Sequence, residues 1–214
     1  MKRRIGILIS GRGSNMLALA RACAEPDFPC DVALVLSNVP DAPGLALAAE
    51  MGLAVDSVDH RSYRGDRAAH EVAMASRLAR QGVEILCLAG YMRLLTPFLV
   101  GRYAGRMLNV HPSLLPAFPG LDTHARALAK GVKFHGCTVH LVTEAMDEGP
   151  ILAQAVVPVL MSDDEASLAA RVLTQEHIIY PRALAALASD AQRLEPSPDI
   201  ALVSPVVTDR VGMQ

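Results

Sequence analysis

The chain has 214 residues, 51% of them hydrophobic, and a formal charge of -2 with its seven histidines neutral. That composition excludes general disorder, and the near-neutral balance leaves no global basic field for nucleic acid or an anionic membrane. Four cysteines, at 23, 30, 87 and 137, form no C-x-x-C pair and no dense framework, which points to reduced thiols in a cytoplasmic protein.

In chain order, Lys2 to Arg4 is basic, but the apolar run behind it stops at Ile9, so no leader peptide is expected. No stretch reaches the roughly 20 apolar residues of a membrane span. Residues 5–9 read as a buried strand, 11–15 as a glycine-rich turn and 14–24 as an alanine- and leucine-rich helix. A second strand is predicted over 31–36, a short helix over 43–51 with Pro43 in its first turn, and a further strand from Val55. Ala69, Val72 and Ala79 recur near one face of 66–81, which predicts a helix closed by Gly82; 83–89 is another buried strand. This alternation predicts an α/β fold: an open, mostly parallel twisted sheet with helices on both faces, in the Rossmann-like manner.

In the second half, 121–130 read as a short helix, and 137–142 and 151–159 as strands joined by a 143–150 loop, an antiparallel C-terminal extension. A long helical pattern over 163–188 is expected to be interrupted near Pro181. Two prolines follow Glu195, and 201–207 are strand-like. With no internal repeat and no sharp composition shift, a single domain over 1–214 is expected.

The stretch MLNVHPSLLPAFP, from Met107 to Pro119, carries the most chemistry. In a strand, Asn109 and His111 share one face while Leu108 and Val110 bury the other, and Pro112 ends the ladder. An imidazole moves protons near neutral pH and an amide stabilises an oxyanion. The same spacing also suits a pair that merely caps a turn. Asp122, Glu144, Asp147 and Glu148 are the carboxylates available to orient the imidazole; spacing alone does not choose among them. Gly11 to Asn15, Gly90 to Leu95 and Asn109 to Pro112 all sit at predicted strand ends, so they should converge on one sheet edge, where such folds bind ligands.

The turn at Gly13, Ser14 and Asn15 suits either a phosphate, with Ser14 capping the helix or donating to the anion, or an ordinary strand-to-helix connection. It lacks the third glycine of a dinucleotide fingerprint and the lysine of a Walker A loop. The histidines at 60, 70, 111, 124, 135, 140 and 177 form no H-E-x-x-H unit and no tight Cys/His cluster, so no metal is expected. His135 and His140 either line the cleft or complete polar contacts. Tyr91 to Leu95 mixes one cation with apolar side chains and fits the wall of a flat heteroaromatic ligand or simple packing on the core. Glu176 sits in a helical pattern, from which it could reach a ligand hydroxyl or amine, although a helix glutamate ordinarily faces solvent.

The stretches ISGRGSN (9–15), LAGYMRLL (88–95), LNVHPSLLPAFPG (108–120), HGCTVHLVTEAMDEGPILAQ (135–154) and RVLTQEHIIYP (171–181) together resemble the phosphoribosylglycinamide formyltransferases, folate-dependent formyl-transfer enzymes of purine synthesis. The resemblance implies a nucleotide-binding half over 1–110 and a folate-site half over 111–214. It implies catalytic roles for Asn109, His111 and Asp147 and substrate contacts from Gly13, Ser14, Asn15 and Glu176, the last meeting the ribose. Folate contacts are implied at Arg67, Met92, Arg93, Leu94, Leu95 and Asn109. The implied reactants are 10-formyltetrahydrofolate, as donor and co-substrate, and glycinamide ribonucleotide. No metal, nucleic acid or membrane is implied, and the family includes monomers and homodimers.

Two positions depart from the family pattern: Arg12, where relatives often carry a small or amide residue, and Asp122, where some carry histidine. Methionyl-tRNA formyltransferase shares the core but adds a basic C-terminal domain, for which the tail here is too short. Formyltetrahydrofolate deformylase carries an N-terminal regulatory domain, whereas the first strand here starts at Arg4. A non-enzymatic nucleotide-binding module is the alternative of a different class.

Overall fold

The computed structural model describes residues 1–189 and 201–203. In the first half β1 (Arg3–Ile9), α1 (Ser14–Ala24), β2 (Cys30–Ser37), α2 (Pro43–Glu50), β3 (Val55–Ser57), α3 (Arg67–Arg80), β4 (Ile85–Leu88), α4 (Pro97–Arg102) and β5 (Met107–His111) follow one another. Then come α5 (Thr123–Lys130), β6 (Phe134–Leu141), β7 (Ile151–Pro158), α6 (Glu165–Ser189) and β8 (Ala201–Val203). The sheet order is β3-β2-β1-β4-β5-β6-β7-β8. Strands β1 to β5 pair in parallel, β6 is antiparallel to both β5 and β7, and β8 is parallel to β7. The predicted antiparallel extension is therefore made by one reversed strand, β6. Residues 204–207 of the strand-like tail, and the prolines after Glu195, lie outside the described residues.

The chain runs outward from β1 to β2 and β3, then returns through α3 to lay β4 on the other side of β1. Strand order reverses between β1 and β4, and the carboxyl ends of β1, β4 and β5 lie side by side. In open sheets of this kind the crevice at such a reversal is where ligands bind.

Alternation along β1 explains how helices cover both faces. Ile5, Ile7 and Ile9 join one core with Met16 and Leu19 of α1 and Leu168, Val172, Ile179 and Leu184 of α6. Leu8 joins the other, with Met74 and Leu78 of α3 and Leu99 of α4. Gly6 points to that second side, where an added Cβ would stand 2.9 Å from Leu78 Cδ2, so α3 packs directly on the strand backbone. All four cysteines are buried and unpaired. Among the described residues no helix is long and apolar enough to cross a membrane.

Two expectations are corrected. Helix α4 has no counterpart in the sequence reading, its six residues being too few for a periodic signal. The break near Pro181 does not occur: α6 runs through it for 25 residues. Proline removes one helical hydrogen bond and costs about 3 kcal/mol, but Ile179, Tyr180, Ala183 and Leu184 on that turn are fully buried. Burying such side chains contributes roughly 1.5–3 kcal/mol each for the large ones, so tertiary packing outweighs the proline. The Tyr180 hydroxyl also lies 3.0 Å from the Leu88 carbonyl oxygen and 3.1 Å from that of Leu108, bridging β4 and β5 beneath the site. Tyr180→Phe should lower unfolding stability by about 1–2 kcal/mol, since two buried carbonyls lose their shared donor. Chemical denaturation checks this, and an unchanged midpoint would remove the bridge from the account.

Candidate active site

The turn after β1 places Gly13 in the left-handed region, at φ 76°, as the residue before α1. Its carbonyl accepts from Leu17 N–H at 2.9 Å, which starts the helix. The expected capping role of Ser14 is not found: Ser14 is the first helical residue and no side-chain cap is made. Gly44 N–H donates to Gly11 O at 3.0 Å, and an added Cβ there would stand 2.8 Å from Ile9 Cδ1, so α2 is pressed against the turn. The first N–H groups of α1 have no intrahelical acceptors and suit an anion. A cavity of about 330 Å³ adjoins them, lined by Ser14, Leu17, Ala18, Arg21 and His177. Arg12 is exposed on the turn.

Asn15 is buried and donates through Nδ2 to Glu176 Oε2 at 2.6 Å, joining α1 to α6 across 161 residues of sequence. Glu176 is thus a buried carboxyl rather than a solvent-facing one. Burial pushes its pKa up, opposed by the Asn15 hydrogen bond.

The loop after β4 crosses the strand reversal. Ser10 N–H donates to Gly90 O at 3.2 Å, and Met92 N–H donates to Ser10 Oγ at 2.8 Å. Ser10 Oγ in turn donates to Asn38 Oδ1 at 2.6 Å, tying the ends of β1, β2 and β4 together. Farther along, Thr96 N–H donates to Glu71 Oε1 at 2.7 Å and its hydroxyl to Glu71 Oε2. Between these anchors Met92 and Leu94 are exposed, while Leu95 packs on the second core. Arg93 is half-buried, and Arg67 is exposed at the start of α3, whose Asp66 cap accepts from Ala69 N–H at 2.9 Å.

At the end of β5, Asn109 is half-buried and His111 is 6% exposed, with Leu108 and Val110 buried on the opposite side. His111 Nε2 lies 3.0 Å from Phe118 O, so that nitrogen donates to the carbonyl. Its Nδ1 faces Asp147 Oδ2 at 3.6 Å. The same carboxylate oxygen accepts from Gly120 N–H at 2.9 Å. Of the four carboxylates open to the sequence, Asp147 is the one that meets the imidazole; Asp122, Glu144 and Glu148 are exposed. Asp122 precedes α5 at φ 56°, its side chain making no cap.

The loop that carries Asp147 folds back on β6 because of Gly149. A Cβ there would stand 1.7 Å from Leu141 O, so only glycine fits. Asp147 itself is left-handed, at φ 59°, a conformation that aspartate tolerates better than most side chains.

Four further residues stand near the site: Arg21 and His177, which the sequence reading does not single out, and His135 and His140, which it leaves between lining the cleft and completing polar contacts. His140 lies directly across from Asn109 on β6. Arg21 and His177 line the cavity beside α1; their helical spacing from Ser14 and proximity to Glu176 were the available signals. His135 is buried, in edge-on ring contact with Phe118 and His124 at centroid distances of 5.8 and 5.2 Å. Burial, reinforced by His124 and His111, lowers its pKa from 6.5 to about 4.

That depression makes a pH prediction. Above pH 6.5 His135 is neutral in folded and unfolded chains alike and costs nothing. As pH falls from 6.5 towards 4 the unfolded chain takes up the proton first, so stability is lost through that window. From this group alone the protein should be about 2 kcal/mol less stable at pH 5 than at pH 7. In His135→Phe the difference in denaturation free energy between the two pH values should shrink by that amount; an unchanged difference counts against the assignment.

The sequence family is decided by a match to the formyl transferase family over residues 3–184. This chain belongs to the formyl transferase family. It is 44% identical to Escherichia coli phosphoribosylglycinamide formyltransferase over 83% of each chain. The crystal structure of phosphoribosylglycinamide formyltransferase from Brucella melitensis superposes with a TM-score of 0.84 at 50% identity, covering 92% of this chain and 100% of that one. Glycinamide ribonucleotide transformylase 1 from Symbiobacterium toebii gives 0.87 at 45% identity, with 94% and 92% covered. The open, mostly parallel sheet is thus the fold of this formyl transferase family.

Proposed function

We propose that this protein transfers the formyl group of 10-formyltetrahydrofolate to the primary amine of 5'-phosphoribosylglycinamide, giving formylglycinamide ribonucleotide and tetrahydrofolate in purine biosynthesis. The observation that carries this reading is His111 Nδ1 standing 3.6 Å from Asp147 Oδ2 at the end of β5, two residues beyond Asn109 on the same strand.

Gly13, Ser14 and Asn15 hold the phosphate at the N-terminus of α1, and Glu176 accepts from a ribose hydroxyl. Met92, Leu94 and Leu95 supply apolar contact to the pterin, and Arg67 and Arg93 meet the acidic tail of the donor. Asn109 lies where the two reactants join. The amine attacks the formyl carbon, the carbonyl oxygen becomes an oxyanion, and the bond from carbon to N10 breaks. The proton lost by the amine is matched by the one gained at N10. Asn109 donates an amide N–H to the oxyanion, and protonated His111 donates through Nδ1, the nitrogen not engaged by Phe118. Asp147 favours the charged imidazole and takes part in the proton relay. At 3.6 Å it stands beyond hydrogen-bond reach of Nδ1, so it acts through its charge and leaves the single Nδ1–H to the oxyanion.

The whole chain acts as one domain in this reading, because α1 and α6 meet through Asn15 and Glu176 and the trio spans β5 and the loop after β6. The four buried, unpaired thiols fit a cytoplasmic protein. Incubation with formyl donor and glycinamide ribonucleotide, followed by separation of formylated amine from free formate, tests the function. Formylated nucleotide is expected; formate alone would mean hydrolysis, and neither product would leave a binding module.

A further inference from the structure

Antiparallel pairing of β5 and β6 sets His140 opposite Asn109 and Thr138 opposite His111. His140 is 2% exposed, and both its ring nitrogens are engaged. Nδ1 lies 3.0 Å from Leu141 O, an oxygen with no proton to give, so the hydrogen of the neutral ring sits on Nδ1. Nε2 then carries a lone pair, and Asn109 Nδ2 stands 3.2 Å from it.

We propose that His140 is a positioning residue for Asn109: as a neutral acceptor it turns the Asn109 amide nitrogen towards β6 and keeps its second N–H available to the reacting carbonyl. The inference rests on the oxyanion role given to Asn109 above. An amide has two nearly isosteric ends, one donating and one accepting. Only the nitrogen end can meet a bare imidazole lone pair favourably. With the acceptor removed, the amide is free to turn over and present its oxygen to a developing negative charge.

The surroundings support a neutral ring. Burial lowers the pKa of His140 and the nearby His111 adds to this, against the Leu141 carbonyl and Asp147, which favour the charged form. The nearest Asp147 oxygen is 3.9 Å from Nε2, beyond hydrogen-bond reach, whereas Asn109 is within it. His140 therefore acts first on the amide and only secondarily on the carboxylate.

The test is a pair of double-mutant cycles read in the complete transferase reaction. His140→Leu should lower kcat roughly 10- to 100-fold and change either KM by less than about threefold, because the orientation of one transition-state donor is lost. In an Asn109→Ala background the same change should cost less than about threefold, as the group it acts on is gone. In an Asp147→Asn background it should retain its full effect. His140→Gln, which places a carbonyl oxygen near the position of Nε2, should recover most of the loss and shows that the leucine result is not general unfolding. Equal losses from His140→Leu in the parent and in Asn109→Ala overturn the proposal, as does a loss that vanishes only with Asp147→Asn. Normal turnover in Asn109→Ala by itself overturns the oxyanion role and this inference with it, and so identifies which step failed.

Discussion

Asn109→Ala is expected to lower the turnover of formyl transfer by roughly 100-fold or more, equivalent to about 2.7 kcal/mol of lost transition-state stabilisation at 25 °C. A donor fixed before the reaction stabilises the oxyanion without reorganising at the moment charge appears. Asn109 has that character, because it projects from a strand with buried neighbours on both sides and has its amide held by a buried imidazole across the ladder. The substitution removes a half-buried polar group on a surface open to the cleft, so the fold should persist. Asn109→Asp separates donation from mere shape. A carboxylate matches the amide in size but offers no N–H and repels the oxyanion, so it should be at least as slow as alanine. Steady-state rates for both variants, with circular dichroism to check the fold, decide the matter; near-normal turnover in either rejects the role.

How much of this was legible beforehand depends on the range over which each signal acts. The alternation of strand and helix through the first half is a local property, written in short apolar runs and helical spacings, and apart from the six-residue α4 it emerged with boundaries shifted by only a residue or two. The neighbourhood of the three strand ends also followed, because parallel sheets place successive carboxyl ends along one edge. Asp147 was different. Its partner lies 36 positions earlier, and the loop that returns it depends on Gly149 passing against the Leu141 carbonyl, a contact that exists only once β5, β6 and β7 have paired. Local spacing therefore left Asp147 level with Glu144, and the family resemblance chose between them. His140 was visible as a histidine on a strand, but its place opposite Asn109 is a matter of antiparallel register, which sequence does not number. Pro181 and Glu176 misled in the same way: local preference says break and solvent, and the packing of α6 on the sheet overrides both.

Asp147→Asn carries the second large effect. The substitution keeps an oxygen able to accept from Gly120 N–H, now 2.9 Å away, so the 143–150 loop should retain its anchor. What is lost is the negative charge facing His111 Nδ1. If that charge supports the imidazolium as the proton moves, turnover should fall by roughly 100- to 1,000-fold, within the range general acid–base groups contribute. Stability should change by less than about 1 kcal/mol, because the ring keeps its bond to Phe118 and the carboxylate is not needed to fill space. Asp147→Ala removes the loop anchor as well, so any further loss beyond Asn measures the hydrogen bond to Gly120 separately from the charge. A pH–rate profile for Asp147→Asn that overlays the parent profile would dissociate the carboxylate from His111. A fall in turnover matched by an equally large fall in melting temperature would instead assign Asp147 to holding the loop.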